Sequence, residues 1–283
     1  MIFLICFIAT LILIINNSIL TEAASYGLML WYNNIVPLLL PFLLISEVIL
    51  SNSINNKKSN PIFIIISSGL LCGFPIGSKT ISYFYTYNKI TYQKANALMI
   101  LCNNVSPVFL FGYILNSLLN NIVPFYYAII AIYMPQILYT LILYNLNTNK
   151  KYNNSVSDDN VSVNDTNIIN NVLSQILRIG FFICICSIIS ELLASIPFFN
   201  NETRTLIYSI IEITKGTAKI LSCDAFSQKI KIALIFSFTV FGGLSSILQI
   251  NDMIKKSKLS LINYILGKFI CAVATFFLTI LLI

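Results

Sequence analysis

The run Gly73-Phe74-Pro75-Ile76-Gly77-Ser78-Lys79 sets an ammonium group, a hydroxyl, a proline and two glycines inside the apolar stretch from Pro61 to Tyr87. Proline removes a backbone hydrogen bond and clashes with the carbonyl four residues earlier, while glycine lets the backbone turn and another chain come close. At membrane depth the freed N–H and C=O groups need partners. A broken segment is therefore tolerated where it is buried in protein or lines a polar cavity, and transporters build solute sites from such breaks. A lysine held there is costly unless water, a counter-ion or a ligand compensates it, which points Lys79 toward solute binding. The plainer alternative is that Lys79 snorkels to the interface from a shallow hairpin. Gly69, Gly73 and Gly77 also have the i, i+4, i+8 spacing of a packing stripe, although Pro75 argues against packing as their full account.

Two further segments have the same character. Cys102-Asn103-Asn104-Val105-Ser106-Pro107 puts two carboxamides and a hydroxyl before a proline in an apolar helix, so the helix is expected to open there. Asn103, Asn104 and Ser106 then offer donors and acceptors to a polar ligand, or simply bond neighbouring helices. Phe241-Gly242-Gly243-Leu244-Ser245-Ser246-Ile247-Leu248-Gln249 repeats the theme, as a partner hairpin tip or a structural glycine kink. Gly242, Gly243, Ser245 and Gln249 join the candidate binding residues. Glu47, Glu191 and Glu212 are candidates for ion coupling. Glu47 and Glu191 could equally pair with Lys79 or Arg178, or lie exposed at the interface.

What positions these residues is a membrane. The 283 residues are 57% hydrophobic and 10% charged, with a mean hydropathy of +0.85, which leaves too little polar surface for a soluble globule. Runs of about 20 apolar residues, enough to cross roughly 30 Å of hydrocarbon, lie at Ile2 to Leu20, Met29 to Leu50, Ala95 to Leu119, Ile122 to Leu146, Val172 to Ile196 and Leu259 to Ile283. The first has no basic n-region and reads as a retained helix, with a cleaved signal peptide as the alternative. Thr205 to Leu221 is weaker and either spans or lies in the interface. Pro61 to Tyr87 and Lys229 to Ile250 read as glycine-broken hairpins. The fold expected is all-α and polytopic, with about seven transmembrane helices, two re-entrant or broken hairpins and two structural repeats. The halves are 1–146, with a hairpin near 61–87, and 172–283, with a hairpin near 229–252, joined by a polar linker at 147–171.

With both hairpins returning to one side, 13 basic residues share a face and Arg204 stands alone opposite, which makes that face and the N-terminus cytoplasmic. The net charge of +7 is explained by this asymmetry, and nucleic acid is not an expected partner. Histidine is absent and the seven cysteines are scattered singly. No metal, no cofactor and no enzymatic activity are expected from these residues.

The segments around Gly73 to Lys79, Asn103 to Pro107, Glu212-Ile213-Thr214-Lys215-Gly216 and Phe241 to Gln249 together resemble the YlbJ family of sporulation integral membrane proteins, also called SpoVV. The likeness runs in order from about Trp31 to the C-terminus. It implies a relation to proteins with a nucleoside-transporter-like gate domain, and a role in moving dipicolinic acid from the mother cell across the outer forespore membrane. Related sequences commonly carry Pro-Val-Gly-Ala-Lys where this chain has Pro75-Ile76-Gly77-Ser78-Lys79. A histidine expected before Gln249 is absent. On this reading the partners are dipicolinate and the bilayer, with a homo-oligomer or sporulation partners left open. A carrier of nucleosides or other small anions, and a non-transporting envelope scaffold, are the alternatives.

Overall fold

The computed structural model describes residues 17–55, 60–145 and 168–283, and those residues form helices and connecting turns with no strand. The first expected span lies mostly outside them. So does the polar linker, apart from its last residues, which begin a helix.

Helix α1 (Asn17–Leu30) runs through a wide π turn at Trp31–Ile35 into α2 (Val36–Asn55). The two are bent by 60° as a pair. Next come α3 (Pro61–Cys72) and α4 (Ile76–Thr86), separated by the glycine–proline break. Ser68 Oγ donates to Thr80 Oγ1 at 3.2 Å, and these residues stand equally far from Phe74, so the arms fold back on each other as the hairpin predicted for 61–87. α3 opens with Pro61 behind Asn60, whose side chain accepts from the Ile62 and Phe63 amides, a start that satisfies orphan donors of the first turn.

The apolar run Ala95 to Leu119 is two helices. α5 (Tyr92–Cys102) stops at Asn103, and α6 (Phe109–Leu118), wound with π turns, follows the break. α7 (Phe125–Asn145) and α8 (Ile168–Ala194) are the expected long helices.

The second half departs from expectation. The span expected at Thr205 to Leu221 is broken at Glu212 into α9 (Asn201–Ile211) and α10 (Ile213–Ser222). A Cβ on Gly216 would fall 2.2 Å from Ser209 Cα, so these arms also fold back closely. The hairpin expected near 229–252 is instead a span interrupted once: α11 (Gln228–Phe241) and α12 (Gly243–Ile254) form one 27-residue stretch. Gly242 and Gly243, at φ 84° and 77°, take the left-handed conformation that glycine permits, and the chain shifts there without reversing. α13 (Leu261–Leu282) closes the chain.

Among the described residues four helical stretches are long and apolar enough to cross a membrane, or five with the bent pair, against the seven expected. Leu138, Leu141 and Ile142 on α7, Leu177 and Phe181 on α8, and Phe269 and Phe277 on α13 are exposed. A large apolar surface of that kind belongs against lipid. Opposite faces bury a core that joins α5, α7, α11 and α13, including Met99, Ile132, Phe236 and Tyr264.

Candidate functional site

All four helix breaks reach one cavity, which offers ≈ 60 Å³ of space for water-sized centres. The hairpin α3–α4 contributes Cys72 and Phe74, and the break before α6 contributes Val105, Ser106 and Phe109. Glu212, Ile213 and Thr214 come from the α9–α10 break, and Gly242, Ser245, Ser246 and Gln249 from the start of α12. Ile35, Leu39, Ile179 and Ile183 give it an apolar wall.

The breaks hold one another in two pairs. The Phe74 amide donates to the Asn104 carbonyl at 2.8 Å. Gly73, at φ 74°, lies so close that a Cβ would meet Asn104 O at 2.6 Å and Ser106 N at 2.8 Å. In the other half, a Cβ on Gly243 would stand 3.2 Å from the Ile211 carbonyl. Each hairpin tip therefore rests on the interrupted span of its own half.

Phe109, Ile213, Thr214, Ser245 and Ser246 of the cavity lining belong to the first turns of α6, α10 and α12, where backbone N–H groups lack partners within the helix and the macrodipole is positive. No side chain caps α4 or α12. At α6, Ser106 Oγ accepts from the Phe109 amide at 3.3 Å. At α10, Glu212 accepts from the Thr214 and Lys215 amides at 3.0 and 2.7 Å. Glu212, 4% exposed, is the one charged side chain among the cavity residues named.

The predicted binding residues separate into two groups. Ser106, Gly242, Ser245 and Gln249 line the cavity, and Gln249 Nε2 donates to Ser245 Oγ at 3.2 Å. Gly73 and Gly243 bring the breaks together, and Pro75 ends the turn from which α4 starts. Gly77 packs on the end of α5, where a Cβ would be 1.9 Å from Cys102 O, and Gly69 lies on the same residue. The packing stripe is thus part of the account. Ser78 Oγ donates to the Pro75 carbonyl at 2.6 Å and faces its own helix. Asn103 Nδ2 donates to Met99 O at 2.9 Å, and its Oδ1 is buried without a partner.

Lys79 does not line the cavity. It forms an ion pair with Glu47, whose other oxygen accepts from Asn171 Nδ2 at 3.2 Å. Of the roles open to Glu47, pairing with Lys79 is the one seen. Glu191 pairs with Lys215 and accepts from Tyr208 Oη at 2.6 Å, and Arg178 pairs with Asp252 at 3.0 Å. Lys215 also lies 4.8 Å from the centre of the Tyr208 ring.

One cluster escaped the sequence reading. Lys268 of α13, 1% exposed, donates from Nζ to Asn104 Oδ1 at 2.6 Å and to Gln136 Oε1 at 2.7 Å. The lone lysine in the last apolar segment and the glutamine beside Pro135 in α7 were the available signals. Their meeting requires three segments distant in sequence.

A bundle of apolar helices around a buried site of four helix breaks defines an integral membrane protein. Over 105 residues the chain is 29% identical to the sporulation integral membrane protein YlbJ of Bacillus subtilis (strain 168). That stretch is 32% of this chain and 26% of YlbJ, so the match spans about a quarter of the relative, and the relation is distant. No family model and no solved structure matches the chain.

Proposed function

We propose that the protein is a carrier of a small anionic solute, with dipicolinate as that solute, and that the cavity where the four breaks meet is its binding site. The observation that carries this reading is the gathering of half-helix N-termini around one buried space. Broken helices of transporters present such ends to anionic groups, and backbone N–H groups donate to carboxylate oxygens without a metal. The likeness to YlbJ supports sporulation as the setting, and the proposal takes the outer forespore membrane as the location. At about 10–15 Å³ per water centre, ≈ 60 Å³ holds roughly four waters. A pyridine dicarboxylate needs more room, so solute entry requires the half-helices to part.

The architecture fits two repeats, each a hairpin, a broken span and an unbroken span: α3 to α7 and α9 to α13. With α11–α12 crossing and both hairpins returning, the hairpins enter from opposite sides. Lys57, Lys58, Lys89, Lys94, Lys150, Lys151, Lys255, Lys256 and Lys258 then share a face, against Arg204, Lys219, Lys229 and Lys231. The excess keeps its sign but is smaller than with both hairpins on one side, so the proposed inverted repeat rests on the matching order of elements in the two halves.

The Glu212 carboxylate favours a second reading, a neutral solute with hydrogen-bond donors, such as a nucleoside. Purified protein in liposomes loaded with terbium separates the two. Luminescence from dipicolinate entry, undiminished by excess nucleoside, is the expected result. Folded protein that gives no signal while taking up nucleoside would replace the first reading with the second.

A further inference from the structure

We propose that Lys268 is a positioning and charge-selecting residue of the solute site, a buried ammonium that fixes the Asn103 to Ser106 break through Asn104 and biases the cavity toward anions. This rests on the reading that the cavity is the solute site. Three observations and one physical generalisation carry it.

The ammonium is buried, and among the described residues it has no carboxylate partner, unlike Lys79 and Lys215. Its hydrogen-bond partners are the carboxamide oxygens of Asn104 and Gln136, which satisfy donors without cancelling charge. The Tyr264 ring, 6.0 Å from Nζ to its centre, and the thiols of Cys102 and Cys271 complete its titratable surroundings. An intramembrane charge so held is expensive and is a functional feature by default.

The second observation is direction. Asn104 takes the ammonium on its side chain and the Phe74 amide on its backbone carbonyl, and Phe74, Val105 and Ser106 line the cavity. Lys268 therefore holds the residue that joins the first hairpin tip to the broken span.

Third, the lining has a carboxylate, Glu212, but no basic side chain among the residues named. An anion there needs positive potential from behind the wall as well as from the helix ends. Finally, in a low-dielectric interior a unit charge acts over several ångströms with little screening.

The same contacts suggest how to separate charge from shape. Asn104→Asp keeps the size of the side chain and its hold on Nζ while supplying the missing negative partner, at the loss of the Nδ2 donation to Leu101 O. Lys268→Met removes both the charge and the hold.

The experiment is displacement of radiolabelled dipicolinate from purified protein by unlabelled dipicolinate or by uncharged pyridine-2,6-dicarboxamide. The expected outcome is a ratio of half-displacing concentrations that shifts toward the neutral amide by about tenfold or more in both variants. Asn104→Asp should unfold within a few degrees of wild type, and Lys268→Met earlier. A wild-type ratio in either folded variant overturns the role of Lys268 and leaves the carrier reading standing. If Lys268→Met does not fold, the ratio in Asn104→Asp decides. Wild-type protein that binds no dipicolinate overturns both readings together.

Discussion

Gly73→Ala is the sharpest probe of how the breaks are joined. Gly73 has φ 74° and ψ −164°, a backbone region essentially reserved for glycine, which costs another residue about 1–3 kcal/mol. The added methyl would also lie 2.6 Å from the Asn104 carbonyl oxygen and 2.8 Å from the Ser106 nitrogen. Both are backbone atoms of a turn fixed from behind by Lys268, so relief requires the hairpin tip to lift, at a further cost of about 1–3 kcal/mol. Together these terms predict a loss of about 2–6 kcal/mol, or roughly 4–24 °C in the unfolding midpoint at about 2–4 °C per kcal/mol. Gly112→Ala is the control. Nothing lies within 4 Å of its Cβ position, and alanine in place of helical glycine is expected to leave stability unchanged or raise it by up to about 1 kcal/mol. Cys72, Cys102, Cys186, Cys223 and Cys271 are free and buried, so a thiol-reactive fluorogenic dye reports unfolding without added probes. A Gly73→Ala midpoint within about 2 °C of wild type, with Gly112→Ala also unchanged, would refute the tight joining of the two breaks.

Two other perturbations test the charges. Lys215→Met strips Glu191 of its ion-pair partner; because that carboxylate is partly exposed, a loss of about 2 kcal/mol is expected, below the range for a fully buried pair. Adding Glu191→Gln should restore more than half of it, and simple additivity in a thermal double-mutant cycle would refute the pairing. Glu212→Gln should cost about 1 kcal/mol through its weakened cap of α10, yet dipicolinate should bind the variant several-fold more tightly once the negative charge is gone. Weaker binding, read as a smaller thermal stabilisation by added dipicolinate, would show the carboxylate to be a solute contact and sink the anion reading.

Membrane residence and the two breaks of the first half were legible in the sequence because proline, glycine and paired asparagines are out of place in an apolar run. The second half was harder. Glu212 carries its break with neither proline nor glycine, since its carboxylate substitutes for the missing helical partners of the Thr214 and Lys215 amides. Gly242-Gly243 has the composition of a hairpin tip, but its two positive-φ residues offset the chain and let α12 continue the span. Glu47 was legible as a candidate partner of Lys79, but the ligands of Lys268 were beyond composition altogether. Glu47 was one of several carboxylates within reach by type, and Gln136 is 132 residues from Lys268.

The two lysine–glutamate pairs also bear on how the chain enters the bilayer. In each, the acid lies on the earlier helix, Glu47 on α2 and Glu191 on α8, and the lysine on the returning arm of the hairpin that follows. A nascent α4 or α10 arriving alone would bring an uncompensated ammonium into hydrocarbon, which insertion resists. Because synthesis delivers the carboxylate first, each hairpin finds its counter-charge already in place. The order of residues along the chain thus sets an order of assembly, long helix before hairpin, in both halves.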